Sequence, residues 1–211
     1  MKLNLLIVED SEEVLKQWNE KLEFYAVNEN AVYTIEHYTV TKLSDAKKLL
    51  ENTRFDAAVI DIRLDEDGEQ TDHGNAILEN LSKSSLTVCA IYTGEPGTEI
   101  IEDHQKDFVE VFKKGDGDGI EQVLSWLDVK IEMVSAIKSM QESFSKSMAE
   151  AFTRSIWPRW SYWLNAKKEP SLTEKALTRH MATHLHASFL NEVNEVHPEE
   201  HYFIPPLQDK L

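Results

Sequence analysis

Residues 57–74 read AAVIDIRLDEDGEQTDHG. Four small or apolar residues, Ala57, Ala58, Val59 and Ile60, run straight into Asp61. A short apolar run of this kind fits a strand buried on both faces, as in a parallel sheet. A carboxylate at the end of such a strand is destabilising unless a cation or hydrogen-bond donors balance it. Asp65, Glu66, Asp67, Glu69 and Asp72 then follow before Gly74. Asp61 is the candidate for chemistry. The later acids are expected to form a solvated loop or, failing that, a docking surface for a basic partner.

Similar runs recur on both sides. LNLLIV (3–8), AVYTIEHYT (31–39), DAAVI (56–60), LTVCAIY (86–92) and DFVEVF (107–112) read as strands. Helical patterns separate them at 11–25, with Ser11 as N-cap, at 44–52 and at 75–81, with a weak one near 98–105. Five βα units in succession imply an α/β fold, a five-stranded parallel sheet covered by helices on both faces.

A different pattern begins at Gly119. Apolar residues step by three or four from Ile120 through Leu124, Leu127, Ile131, Val134, Ile137, Met140, Phe144, Met148 and Phe152 to Ile156. That is one stripe on a long helix, roughly 55 Å at 1.5 Å per residue. The sheet domain can bury only its start. Pro158 is expected to end it, and Trp157, Trp160 and Trp163 to supply core. SLTE (171–174) is a capping box that opens a helix running to about Glu192, and the proline-rich tail 197–207 reads as extended. His180, His184 and His186 read as polar-face or partner-contact residues rather than metal ligands. These features divide the chain into residues 1–128 and 129–211.

Charge divides the same way. Residues 1–128 carry 28 acidic and 12 basic side chains, and residues 129–211 carry ten of each. The acidic part repels nucleic acid and anionic membrane, and the neutral part lacks a basic recognition helix. No stretch reads as a signal peptide or membrane span. A lone Cys89 in an apolar run suits a reducing, cytoplasmic setting. Residues 129–211 show no glycine-rich phosphate loop and no nucleophile signature, so an enzymatic output is not expected.

The ends of the strands carry the chemistry: Glu9 and Asp10, Asp61, Thr93, and Lys113 with Lys114. In an open parallel sheet, ligands bind beyond the carboxyl ends of the strands. Three carboxylates brought together repel unless a cation joins them, and few hard oxygens with room for water suit Mg²⁺. An ammonium and a hydroxyl facing that ion suit a phosphoryl group. Lys114 is the preferred lysine, with Phe112 two residues earlier on the same side of the strand.

In order and spacing, LLIVED, DAAVIDIRL, AIYTG and VFKKG resemble the receiver domain of bacterial two-component response regulators over about residues 1–128. The resemblance implies a doubly wound, flavodoxin-like sheet of order 2-1-3-4-5. It implies that Asp61 accepts a phosphoryl group from a phosphohistidine on a sensor histidine kinase or phosphotransfer protein. It further implies that Asp10, Asp61 and the backbone carbonyl of Arg63 hold Mg²⁺, with Glu9 acting through water, and that Thr93 and Lys114 meet phosphoryl oxygens. The chain departs from the family at Gly115, where proline is usual, at Val111, where an aromatic is frequent, and in the long acidic segment beginning at Asp65. The expected output is protein contact through residues 129–211, with a downstream target or a second copy in a homodimer. The alternative is a phosphorylation-independent adaptor or scaffold.

Overall fold

The computed structural model describes residues 1–28, 31–66, 69–84, 86–115, 117–161, 175, 177–179 and 181–183. The chain forms two compact units, Met1–Lys138 and Ser139–Leu211. In the first unit the strands are β1 (Lys2–Val8), β2 (Thr34–Val40), β3 (Ala57–Ile60), β4 (Leu64–Glu66), β5 (Glu69–Thr71), β6 (Val88–Thr93) and β7 (Val109–Lys113). The helices are α1 (Glu12–Ala26), α2 (Leu43–Asn52), α3 (His73–Ser84) and α4 (Gly119–Ala151), the last continuing into the second unit. Five strands make one parallel sheet in the order β2-β1-β3-β6-β7. Leaving out the β4–β5 hairpin, this is the 2-1-3-4-5 flavodoxin-like order. No helix among the described residues is long and apolar enough to cross a membrane.

Strand periodicity sorts the core into two faces. Leu3, Leu5, Ile7, Ala57, Val59, Val88 and Ala90 pack with Trp18 and Leu22 of α1 and with Ile120, Val123, Leu124 and Leu127 of α4. Their neighbours Leu6, Val8, Ala58, Ile60, Cys89 and Ile91 pack with Ala46 of α2 and with Ile77, Leu78 and Leu81 of α3. Both faces are therefore dry, which is why these strands read as continuous apolar runs rather than alternating ones. Ser11 caps α1, its Oγ accepting the Val14 N–H at 3.4 Å.

Four local expectations are corrected. The acids after Asp61 do not form a plain loop: Leu64 pairs with Thr71 and Glu66 with Glu69 in an antiparallel hairpin, and Leu64 is fully buried. In the sequence, an Asp-Gly dipeptide is a hairpin signal that the acidic composition obscured.

The weak helix near 98–105 is a single 3₁₀ turn, Asp103–Gln105. The Asn75 side chain donates to the Thr98 carbonyl and accepts the Ile100 N–H at 3.2 and 2.9 Å, satisfying backbone groups that a helix would have paired. Pro158 does not end the helical path. The chain shifts into a π-turn (Phe152–Ile156) and then a 3₁₀ turn (Trp157–Arg159), and it is helical again at residues 160 and 161. Proline in the first turn of the new segment lacks only an N–H that has no helical acceptor there. Finally, Trp157 and Trp160 are not core: they are 62% and 38% exposed, stacked on each other beside Phe152.

Within the first unit α4 is held at both ends of its contact with the sheet. Ile120 and Val123 are buried at its start. At its far end Lys138 donates to the Lys2 carbonyl and to Asp56 at 2.9 and 3.0 Å. In the second unit the stripe emerges, with Met140, Phe144 and Met148 between 39% and 46% exposed. Residues 175, 177–179 and 181–183 are helical, in keeping with the expected second helix. Its SLTE cap, Trp163, His180, His184, His186 and the tail 197–207 lie outside the described residues.

Gly74 fixes α3 against the end of β3. Its N–H donates to the Ile62 carbonyl, and a Cβ there would stand 2.1 Å from the Asp61 carbonyl oxygen and 2.5 Å from Ile62 Cα. Both obstacles are backbone, so they cannot rotate away. Gly74→Ala is expected to destabilise the protein by about 3 kcal/mol in urea titration, because overpacking against backbone forces α3 to shift. Gly94→Ala, with open space around its Cβ, is expected to stay within about 0.5 kcal/mol of the parent.

Candidate functional site

Parallel strands all end on the same side, so the residues that follow β1, β3, β6 and β7 converge there. Glu9 follows β1, its N–H bonded to the Val40 carbonyl at 3.0 Å, and Asp61 follows β3, its N–H bonded to the Val8 carbonyl at 2.9 Å. Thr93 closes β6, and its carbonyl accepts the Lys114 N–H at 2.8 Å. The ladder hydrogen bonds thus continue past the strands and hold the backbone of each site residue. A cavity of about 310 Å³ opens here, and Glu9, Asp10, Asp61, Arg63, Thr93 and Lys114 all line it.

Lys114 pairs with two of these residues. Its Nζ lies 2.5 Å from Asp61 Oδ2 and 2.6 Å from Glu9 Oε2. Lys113 is exposed on the other side of the strand, so the geometry selects Lys114 of the two. Glu9 and Asp61 are 2% and 6% exposed. Burial raises the Glu9 carboxyl to about 7, against the pull of the Lys114 ammonium. Burial also disfavours the charge on Lys114, but Glu9 and Asp61 overcome it and hold its pKa above the ordinary lysine value. Backbone donors complete the carboxylate shells: Ser11 N–H to Glu9 Oε1 at 3.1 Å and Arg63 N–H to Asp61 Oδ1 at 3.3 Å.

Glu9, Asp10 and Asp61 bring carboxylate oxygens within 4.8 Å of one another. It is the one such group of three potential ligands among the described residues. Hard oxygens on one side of an open cavity fit Mg²⁺, which keeps several waters and takes few protein ligands. Arg63 turns its guanidinium to Glu95 at 2.9 Å. Thr93 is buried, and its Oγ1 accepts the Glu95 N–H at 3.4 Å.

The sequence did not mark as site residues Glu95 and Ser11, which also line this cavity, or Tyr92, which lies beside Lys114. The Lys114 ammonium lies 5.9 Å from the centroid of the Tyr92 ring. Strand alternation sends Tyr92 to the face opposite Thr93, and its register partner Phe112 puts it on the face that Lys114 shares.

No family model and no curated protein matches the chain. Solved structures do. The chain is similar to response regulator receiver domains. A receiver domain from Methylobacillus flagellatus is 19% identical, covering 59% of this chain and 98% of its own, with a TM-score of 0.44. The signal receiver domain of a Luxo repressor protein from Vibrio parahaemolyticus is 17% identical, covering 66% and 98%, with a TM-score of 0.49. A receiver domain from Methanospirillum hungatei is 20% identical, covering 64% and 98%, with a TM-score of 0.44. At such identities these are likenesses of fold, and the chemistry of the site is read from its own side chains.

Removing one partner of a buried ion pair strands the other. Lys114→Met is expected to lower stability by about 3 kcal/mol, because it leaves Glu9 and Asp61 facing each other without a cation. Lys113→Met is expected to change it by less than about 0.5 kcal/mol. Thermal denaturation of the two variants side by side checks the assignment.

Proposed function

We propose that this protein is a phosphoacceptor of a two-component relay, taking a phosphoryl group on Asp61 from a phosphohistidine of a sensor kinase or phosphotransfer protein. The observation that carries this reading is the convergence of Asp61, Glu9, Asp10, Thr93 and Lys114 on one cavity at the strand ends. A carboxylate brings its own attacking lone pair and needs no general base. The Asp61–phosphorus bond forms as the bond from phosphorus to the imidazole nitrogen breaks, and the electron pair of that bond returns to the imidazole. The Lys114 ammonium follows the transferred charge from Asp61 Oδ2 onto a phosphoryl oxygen, while Glu9 keeps hold of it. The Thr93 hydroxyl donates to a second oxygen. Asp10, Asp61 and the Arg63 carbonyl, with Glu9 through water, would hold Mg²⁺, and the ion would further neutralise the phosphoryl oxygens.

In this reading the protein is a signalling element rather than an enzyme with a product of its own. Its output is protein contact through residues 129–211, with a target or with a second copy. The exposed apolar residues Met140, Phe144 and Met148 and the stacked Trp157 and Trp160 support such contact. The charge balance of that region, ten of each sign, does not favour nucleic acid.

Incubation with acetyl phosphate and Mg²⁺, followed by intact and peptide mass spectrometry, tests the proposal. One phosphate per chain on Asp61 is expected, lost in Asp61→Asn and on chelation of the metal. No Mg²⁺-dependent modification of Asp61 would favour the scaffold that needs no phosphate.

A further inference from the structure

Tyr92 is 5% exposed and lies between three parts of the first unit. On one side is the Lys114 ammonium, 5.9 Å from the ring centroid. On another is Trp18 of α1, edge-on, with centroids 5.8 Å apart and planes at 84°. On the third is the first residue of α4: a Cβ at Gly119 would come within 2.9 Å of Tyr92 Cε2 and 3.1 Å of its hydroxyl oxygen. Glycine at 119 is thus what lets the ring lie against the root of the helix that leads into the second unit.

Two observations say that this ring can respond. It borders a cavity of about 330 Å³, lined also by Gln17, Lys21 and Glu121, so there is room for displacement. Trp18 is completely buried, and its Nε1 has no hydrogen-bond partner among the described residues. Packing alone therefore fixes the indole, and a shift of the neighbouring ring moves it.

We propose that Tyr92 positions Lys114 and links the state of the site to α1 and to the root of α4. This rests on the phosphoacceptor reading of Asp61. In the resting protein the ammonium has two carboxylates beside it and the electron-rich ring face beneath it. A phosphoryl group on Asp61 draws the ammonium toward its oxygens and away from the ring. The ring then loses the cation on that face and resettles against Trp18 and Gly119. The path differs from one through an aromatic on β7, where this chain has Val111.

The test uses the full chain labelled with 5-fluorotryptophan and observed by fluorine NMR, with the Trp18 resonance assigned by its loss in Trp18→Phe. Mg²⁺ with beryllofluoride is expected to shift that resonance in the parent protein and in Tyr92→Phe, which keeps the ring. Tyr92→Leu is expected to abolish the shift and to slow acetyl phosphate labelling of Asp61 about tenfold. Lys114→Met is expected to shift the Trp18 resonance with no phosphoryl mimic present, which tests the same link in a protein that keeps Tyr92. An unmoved Trp18 resonance while mass spectrometry shows Asp61 labelled overturns this inference and leaves the phosphoacceptor reading intact. So does a Tyr92→Leu protein with the shift and labelling rate of the parent. Failure to label Asp61 at all overturns both.

Discussion

One ammonium bridges two buried carboxylates. Lys114 lies within 2.6 Å of both Glu9 and Asp61, which come from different strands and are almost wholly removed from solvent. Without it, two like charges would face each other in a poorly hydrated site, an arrangement that costs several kcal/mol or forces protonation. The surrounding fold meets the geometric demands of that contact. Parallel strands end on one side, continuing ladder bonds fix Glu9, Asp61 and Lys114, and Gly74 lets α3 press against the Asp61 carbonyl. A rigid frame around a charged cluster suits the proposed acceptance of a phosphoryl group, a reaction governed by positioning and charge neutralisation.

The same lysine connects the site to the rest of the molecule. Its backbone extends β7, its head lies over Tyr92, and Tyr92 rests on Gly119 where α4 begins. From there α4 is packed down to Val134 and clamped by Lys138 on Asp56, and beyond it the apolar stripe reaches solvent. The crossover from β6 to β7 holds a single 3₁₀ turn, so a fold of this order lacks a full helix at that edge. The face of the sheet toward α1 and α4 is a continuous buried core in which Tyr92 takes part.

Much of this was legible in the residues. The apolar runs and their spacing specify the sheet, because a strand buried on both faces leaves a continuous hydrophobic signature. Asp61, Glu9, Asp10, Thr93 and Lys114 were legible as a set, because each follows a strand and parallel strands share an end. What was misread shares a physical cause. The segment 65–72 is rich in acidic residues, a composition that masked the hairpin that Leu64 anchors. The 98–105 segment has helical composition, but the Asn75 amide takes its backbone groups. Trp157 and Trp160 are large and apolar, yet they stack on each other at the surface.

The sequence by itself determined the strand order of events: which runs are buried, which residues stand at their ends, and that three acids and a lysine would meet. Those are consequences of periodicity and of parallel geometry, both local. Only the tertiary structure decided that the Lys114 ammonium bridges both Glu9 and Asp61, that Tyr92 lies under that ammonium, and that Gly74 and Gly119 must lack side chains. Each of these depends on the approach of elements distant in the chain to within a few ångströms. Side-chain period gives direction, but packing sets distance, and distance decides charge and contact.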